Sequence, residues 1–159
     1  QGAAKPAFTR VTVGDTGLSI ELPFAPRAPV TQTQDGMQLF SYGNPDEHPI
    51  GVEIVNHSLG TVVTNDQLAD VMADEIKGLN TGSVPNSEAL GPAQLVTIGG
   101  RQAAFAAAKI KTVTVRTWVS IHGDREVALR VYAARGLDDD WTAAIDRVAA
   151  SLMVAPAER

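Results

Sequence analysis

Cysteine is absent from this 159-residue sequence, and so are runs of lysine or arginine and long apolar stretches. Without cysteine the chain forms no disulfides, thiolate metal sites or cysteine nucleophiles. A net charge of −5 without basic runs lacks the electrostatic footprint of a nucleic-acid-binding protein, so we exclude DNA and RNA as partners. The uncharged apolar runs are too short to cross a bilayer.

The remaining composition is typical of a soluble globular domain, with 44% hydrophobic and 19% charged residues. We predict a tether over residues 1–8, one domain over residues 9–155 and a short tail over residues 156–159. No methionine precedes Met37, which indicates a processed chain. We therefore expect an exported protein, located in the periplasm or at the cell envelope, and an N-terminal lipid anchor stays open as an alternative.

Two alternating segments near the middle of the chain organise the predicted fold. Residues 112–122 and residues 127–133 both alternate apolar and polar side chains, which is typical of β-strands. Gly123 and Asp124 between them indicate a hairpin. If each strand has a single apolar face, a three-residue loop that includes Arg125 brings the apolar faces together, whereas a two-residue loop places apolar side chains opposite polar ones. We therefore favour the three-residue loop.

That register places two pairs of arginine and aromatic side chains on the polar face of the hairpin. Trp118 is predicted to lie opposite Arg130, and Arg116 opposite Tyr132. One interpretation is a binding surface for an acidic partner. The other is structural, with arginine stems packed on aromatic rings beneath a covering helix. These four residues are the candidate binding site.

Further strands and two helices complete the prediction. A capping box starting at Thr64 begins the first helix, and residues 138–140 begin the second. Residues 103–108 favour helix by composition, but we predict a strand because Gly99 and Gly100 form a turn before them. Other strands are expected at residues 10–13, 18–22, 37–42, 50–59 and 93–98. The predicted fold is α+β, with an antiparallel sheet of about six to seven strands sandwiched between helices (α/β/α).

The order of these elements resembles the PsbP-like superfamily. Three short matches carry the resemblance: Gly17 to Pro23, Gly100 to Ala103, and Ala150 to Leu152. The superfamily includes the extrinsic photosystem II protein, a Ran-binding nuclear-import factor and bacterial envelope lipoproteins. The resemblance implies a single sheet between helices and a non-catalytic binding or assembly role. It transfers no metal, cofactor or partner-binding residue to this chain.

The sequence contains only weak signals of catalysis. Asn56-His57-Ser58 is nearest to a nucleophile motif, but Asn56 stands where the hydrolase motif has glycine and no helix follows directly. His48, His57 and His122 lie on separate segments without metal-ligand spacing. We therefore predict no metal and no cofactor.

Acidic residues also repeat without forming an evident site. Asp66, Asp70 and Asp74 are spaced by four along the first helix, which is typical of a solvated face. The three aspartates at residues 138–140 interact favourably with the positive N-terminal end of the second helix's macrodipole. Glu21 and Glu53 would form a glycosidase pair only if they faced each other across a cleft.

We consider three functional hypotheses. The first is a non-enzymatic, exported module that binds a protein or small ligand at the cell envelope. The second is a small hydrolase or ligand-processing enzyme, with His57 or Ser58 in a pocket beneath a mobile loop at residues 81–92. The third is a dimer formed through an exposed sheet edge. We expect a monomer or a weak homodimer.

Overall fold

A computed structural model describes residues 5–43, 47–81, 86–134 and 136–155. The chain forms two helices and two antiparallel sheets within these ranges. In chain order the elements are β1 (Thr9–Val13), β2 (Leu18–Leu22), β3 (Val30–Gln34), β4 (Met37–Tyr42), β5 (Ile50–Ser58), α1 (Asn65–Asn80), β6 (Glu88–Ala89), β7 (Gln94–Ile98), β8 (Arg101–Ile110), β9 (Val113–His122), β10 (Arg125–Ala133), α2 (Asp139–Ala150) and β11 (Met153–Val154).

The predicted α+β class with an antiparallel sheet is confirmed. The large sheet runs β3-β4-β5-β10-β9-β8, and both β6 and β7 pair with the outer edge of β8. The sheet has eight strands and not the predicted six to seven, because β3 and β6 join it. β1 and β2 pair with β11 in a separate three-stranded sheet.

Strand β3 was missed because its side chains are exposed and all but Val30 are polar. It reads VTQTQ, with no apolar face for alternation to reveal. The better signal lies in the turn that follows, where Asp35 and Gly36 both have positive φ. An Asp-Gly pair with positive φ at both positions is typical of a tight hairpin turn. The turn therefore identifies β3 where hydrophobic periodicity does not.

Each face of the large sheet covers its own apolar core. We call them the α2 face and the α1 face. Ile54, Trp118 and Leu129 belong to the α2 face, whose core is shared with α2 and the three-stranded sheet. Val55 and Val119 belong to the α1 face, which packs against α1. The small sheet and α2 therefore pack together on the same face of the large sheet. This layering differs from a single sheet between two helices.

The predicted helix starts are confirmed by their hydrogen bonds. The Gln67 side-chain oxygen accepts from the Thr64 N–H at 3.1 Å, and the Asp138 carboxylate accepts from the Trp141 N–H at 2.9 Å. These contacts satisfy N–H groups that a helix start leaves unpaired. The predicted strand over residues 103–108 is confirmed as well, and its Ala104 lies in the core beneath α1.

The predicted register of the central hairpin is wrong. Trp118 pairs with Leu129, and Val119 pairs with Ala128, so the loop has two residues. Gly123 has φ of 64° at the first loop position, which suits a two-residue turn. The prediction failed because it assumed one apolar face for each strand. Both faces are buried here, so pairing by polarity does not decide the register.

The beginning of the described chain lies against the domain. The Ala7 N–H donates to the Pro23 carbonyl at 3.2 Å, and the Arg147 guanidinium lies 3.8 Å from the centre of the Phe8 ring. Residues 1–4 and 156–159 lie outside the described residues, so the tether and tail stay predictions there. Residues 82–85 of the predicted mobile loop also lie outside the described residues, while β6 occupies residues 88–89.

Candidate functional site

The corrected register divides the four predicted binding residues between the two faces of the sheet. Arg116 and Trp118 lie on the α2 face, with Val131 and Leu129 as their partners on β10. Arg130 and Tyr132 lie on the α1 face, where Thr117 and Val115 are their partners on β9. The predicted cross-strand pairs of arginine and aromatic side chains are therefore absent, and the four residues do not form one surface.

Arg116 and Trp118 do meet in an open cleft between the sheet and α2. The cleft has a volume of about 200 Å³. The ring of Trp118 packs on that of Phe105, with centroids 5.1 Å apart and planes tilted by 46°. We call this feature the Trp118 cleft. Its lining residues are Gln94, Val96, Thr97, Ile98, Phe105, Arg116, Trp118 and Asp146.

Hydrogen bonds to the end of α2 hold the walls of the Trp118 cleft in place. The Arg101 guanidinium donates to the carbonyls of Leu152 at 2.8 Å and Ala149 at 3.2 Å. A cation at a helix C-terminus satisfies unpaired carbonyls and opposes the macrodipole. Gly99 lies so close to α2 that a Cβ atom there would be 2.7 Å from the Ala150 carbonyl oxygen. The β7–β8 turn is therefore fixed against the helix.

The Trp118 cleft contains one half-buried cation and one exposed anion. Arg116 is half-buried and makes no ion pair or hydrogen bond with any described residue. Asp146, on the α2 side of the cleft, is exposed to solvent and lies outside ion-pair distance of Arg116. Solvent screens an exposed charge more strongly than a half-buried one. The guanidinium is therefore the more effective charge for binding a group in this cleft.

Arg130 and Tyr132 contact the same carboxylate on the α1 face. Arg130 donates to Glu53 Oε1 at 2.7 Å, and the Tyr132 hydroxyl donates to the same oxygen at 3.4 Å. The Arg130 and Glu53 side chains are only 27% and 17% exposed. Burial, and then the charge of Glu53, raise the pKa of Tyr132. This ion pair occupies the Arg130 guanidinium, which favours the structural interpretation for these two residues.

His57 and Ser58 are neighbours on β5 and therefore point to opposite faces of the sheet. His57 Nδ1 lies 3.8 Å from Glu126 Oε1 on the α1 face. Ser58 lines a polar cleft of about 290 Å³ together with Asn56 and Arg125. The two side chains cannot act on one substrate atom. Glu21 and Glu53 do not form the acid pair either, because they lie on different sheets, where Glu21 pairs with Arg147 of α2 and Glu53 pairs with Arg130 of β10.

The structure brings together a serine and a histidine that sequence reasoning missed. Ser120 Oγ lies 2.8 Å from His122 Nε2, and alternation on β9 places both on the α2 face. Burial, and then the charges of Arg101 and Arg125, lower the pKa of His122 to about 4. A general base works best with a pKa near the working pH. His122 is therefore a poor base, and Ser120 is buried with only 4% exposure.

A second missed pair joins α1 to the sheet. The Glu75 carboxyl group on α1 is hydrogen-bonded to Glu126 on β10. Burial, then the hydrogen bond and charge of Glu126, and finally the charge of Asp74 raise the pKa of Glu75 to about 8. A protonated Glu75 can donate this hydrogen bond to Glu126, which removes the charge repulsion that two ionised carboxylates would have at this distance. The sequence could not reveal it because the residues are 51 positions apart.

The remaining predicted candidates do not assemble into a site. His48 stacks on Phe24 with ring centroids 4.3 Å apart. It lies just before the start of β5, whereas His57 lies near the end of that strand. Asp66, Asp70 and Asp74 are exposed along α1, as expected for a solvated face. Within the described ranges, no group of three or more histidine or acidic side chains could hold a metal ion. Neither described helix is long and apolar enough to span a membrane.

The comparisons with known proteins bear on the fold. No protein-family model matches the chain, and no curated protein is significantly similar to it in sequence. The solution structure of cyanobacterial PsbP (CyanoP) from Synechocystis matches with a TM-score of 0.61 at 15% identity, over 97% of this chain and 96% of that one. The chain has a PsbP-like fold. The PsbP-like resemblance predicted from the sequence is thereby confirmed at the level of the fold, while the α/β/α sandwich stays a prediction.

Two further solved structures were found. A crystal structure of a protein from Bacteroides thetaiotaomicron matches this chain with a TM-score of 0.55 at 16% identity, over 88% of this chain. This chain spans 46% of the length of that one. The Ran-binding protein Mog1p of Saccharomyces cerevisiae gives a TM-score of 0.48 at 10% identity, over 94% of this chain and 96% of that one. The first two matches show a likeness of fold alone, and no site residue is transferred from any of the three.

Proposed function

We propose that this protein is a non-catalytic binding module that captures a partner protein through the Trp118 cleft. The observation that carries the proposal is the half-buried Arg116, which has no partner among the described residues, beside the packed rings of Phe105 and Trp118. Interfaces are enriched in arginine and aromatic side chains at their energetic centres. An arginine held near an aromatic pair without an internal ion pair suits that role.

The geometry of the candidate catalytic residues supports a non-catalytic function. A nucleophile needs an adjacent base that is itself held by a third group. His57 and Ser58 point to opposite faces, so the hydrolase hypothesis loses its proposed pair. Ser120 and His122 are in contact, but the low pKa of His122 and the burial of Ser120 argue against acid–base chemistry. The binding role predicted for Arg130 and Tyr132 stays a prediction, separate from the Trp118 cleft.

The experiment compares partner capture by three immobilised proteins in an extract of the source cells. Arg116→Gln removes the guanidinium from the cleft, and Lys77→Gln makes the same charge change on the exposed side of α1. We expect Arg116→Gln to lose most of the captured partner and Lys77→Gln to retain it. Equal capture by all three folded proteins would show that the Trp118 cleft is not the binding site.

We further propose that the domain acts at the cell envelope after export, with or without a lipid anchor. The support is the sequence resemblance to a superfamily that includes envelope lipoproteins. Mass spectrometry of the endogenous protein in soluble and membrane fractions tests this location. Recovery from the envelope is expected, with or without a diacylated cysteine just before Gln1. A cytoplasmic product that retains an initiator methionine would contradict it.

A further inference from the structure

We propose that the partner binds as an added β-strand along the free edge of β7, with an acidic side chain directed at Arg116 and an apolar side chain on the same face. This inference rests on the proposed function of the Trp118 cleft and specifies the chemistry of the partner. The surface it uses combines the backbone of an edge strand with the adjacent cleft. Strand addition of this kind takes affinity from backbone hydrogen bonds and specificity from side-chain pockets.

The outer edge of β7 is unpaired among the described residues, and its sequence carries no blocking residue. In the part of the chain that the structure describes, β7 pairs with β8 alone. Natural edge strands are commonly protected by charged residues, proline or bulges. Gln94–Ile98 contains no charge and no proline, and Leu95 is 46% exposed. The strand is therefore ready to pair with another extended chain.

The β7–β8 turn determines which backbone groups are free. Gly99 and Gly100 have φ of 59° and 77°, which is typical of a two-residue hairpin turn. In such a hairpin the flanking residues, Ile98 and Arg101, exchange both hydrogen bonds, and this pattern repeats at every second residue. Leu95 and Thr97 therefore direct their N–H and C=O groups outward. An added strand would pair with these two residues.

The size of the Trp118 cleft favours a side chain over a free small molecule. Its volume of about 200 Å³ is smaller than that of pockets that enclose drug-sized ligands, which measure roughly 300–1,000 Å³. Val96 and Ile98 on β7 line the cleft, so alternate side chains of an added strand would face it as well. An added strand would lie three strand spacings, about 14 Å, from β9, so a long side chain extended over β7 is needed to reach the cleft while the backbone pairs with β7.

The charges of the Trp118 cleft favour an acidic side chain. Arg116 is half-buried and has no ion-pair partner among the described residues, while Asp146 is exposed and screened. A carboxylate between them would form a charge-assisted hydrogen bond with the guanidinium and feel a weaker repulsion from Asp146. The two residues therefore predict opposite effects. Removing Arg116 should weaken binding, and neutralising Asp146 should strengthen it.

The first experiment selects binders from a library of displayed random peptides about nine residues long, which exceeds the length of a typical strand. We expect enrichment of an acidic residue two positions from an apolar one, because side chains two apart share a face. A synthetic peptide of the enriched sequence is then titrated by fluorescence anisotropy. We expect Arg116→Gln to raise Kd about tenfold and Asp146→Asn to lower it about threefold.

The second experiment tests the added strand itself. Thr97→Pro removes an outward N–H that the β7–β8 ladder does not use, and Thr97→Val retains that N–H as the matched control. We expect Thr97→Pro to abolish binding, whereas Thr97→Val, which keeps the outward N–H, should retain most of it. In case the proline variant folds poorly, peptides N-methylated on the amides that face β7 provide an independent test. These should lose binding, whereas peptides methylated on the opposite edge should keep it.

Several results would overturn the inference. Equal binding by Thr97→Pro and Thr97→Val, or by both sets of N-methylated peptides, would refute strand addition. Enrichment of basic peptides would refute the acidic partner. A concentration-dependent dimer that Thr97→Pro dissociates would make a second copy the occupant of this edge. No enrichment, while Arg116→Gln still lowers partner capture from extract, would reject the added strand and leave the proposed function standing.

Discussion

Glu75 makes the stability of the fold depend on pH in a testable way. Its pKa is raised from 4.5 to about 8 by burial and by Glu126. A carboxyl group with a higher pKa in the folded state binds more protons there than in the unfolded chain. Its contribution to stability is therefore fully present below about pH 4.5 and is lost as pH rises through about 8. The variant that tests this is Glu75→Gln, which keeps the shape without the titration.

The magnitude follows from the linkage of protonation to folding. The largest possible slope for one group is about 1.4 kcal/mol per pH unit. Glu75 is only partly buried, so solvent screening reduces the effect to roughly half. Between about pH 6.5 and about pH 8.5 we therefore expect a loss of about 1 kcal/mol. His122 does not interfere in this range, because its lowered pKa changes stability only between about pH 4 and 6.5.

Urea denaturation at several pH values in that range measures the effect. Wild type should lose about 1 kcal/mol relative to Glu75→Gln as pH rises. Asp70→Asn, which removes an exposed carboxylate of the same helix, should follow the wild-type curve. Parallel stability curves for wild type and Glu75→Gln would refute the raised pKa of Glu75.

Three further predictions concern stability and are measured by urea denaturation. Asp138→Ala should lower the free energy of unfolding by about 1 kcal/mol, because the N-cap hydrogen bond from the Trp141 N–H is lost. Asp139→Ala, which removes no cap, is the control. Gly100→Ala should lower the free energy of unfolding by about 1 kcal/mol, because alanine is strained at a positive φ. Gly99→Ala should lower it by at least about twice as much, because its Cβ would also clash with α2. Equal losses for the two variants would contradict this close approach. Met72→Ala should cost about 2–5 kcal/mol, and a smaller loss would argue against the α1 core.

Local sequence signals predicted most of the secondary structure. β2 and β4 have the predicted bounds, and the hydrogen bonds at Thr64 and Asp138 confirm both helix starts. These features depend on residues close together in the chain, where turn and capping chemistry acts. β3 was not predicted because its exposed side chains show no hydrophobic periodicity. The Asp-Gly turn after it was the local signal that could have identified it.

The candidate site was predicted only in part, because it depends on register. Arg116 and Trp118 were selected as binding residues and do meet in one cleft. Arg130 was assigned to the same surface because the hairpin was assumed to have a single apolar face. Because the sheet has an apolar core on each side, both strands carry apolar residues on both faces. A register shift of one residue then moves each side chain to the opposite face relative to its partner strand. Asp146 joins the cleft through the packing of α2, which no local pattern encodes.

The central claim is that a partner binds in the Trp118 cleft beside β7. A photoreactive amino acid placed at Gln94, which lines the cleft, tests it in living cells, with the same group at Gln32 on the opposite sheet edge as the control. We expect a discrete crosslinked partner from position 94, reduced by Arg116→Gln and absent from position 32. The same adduct from both positions, or a yield that Arg116→Gln leaves unchanged, would contradict it.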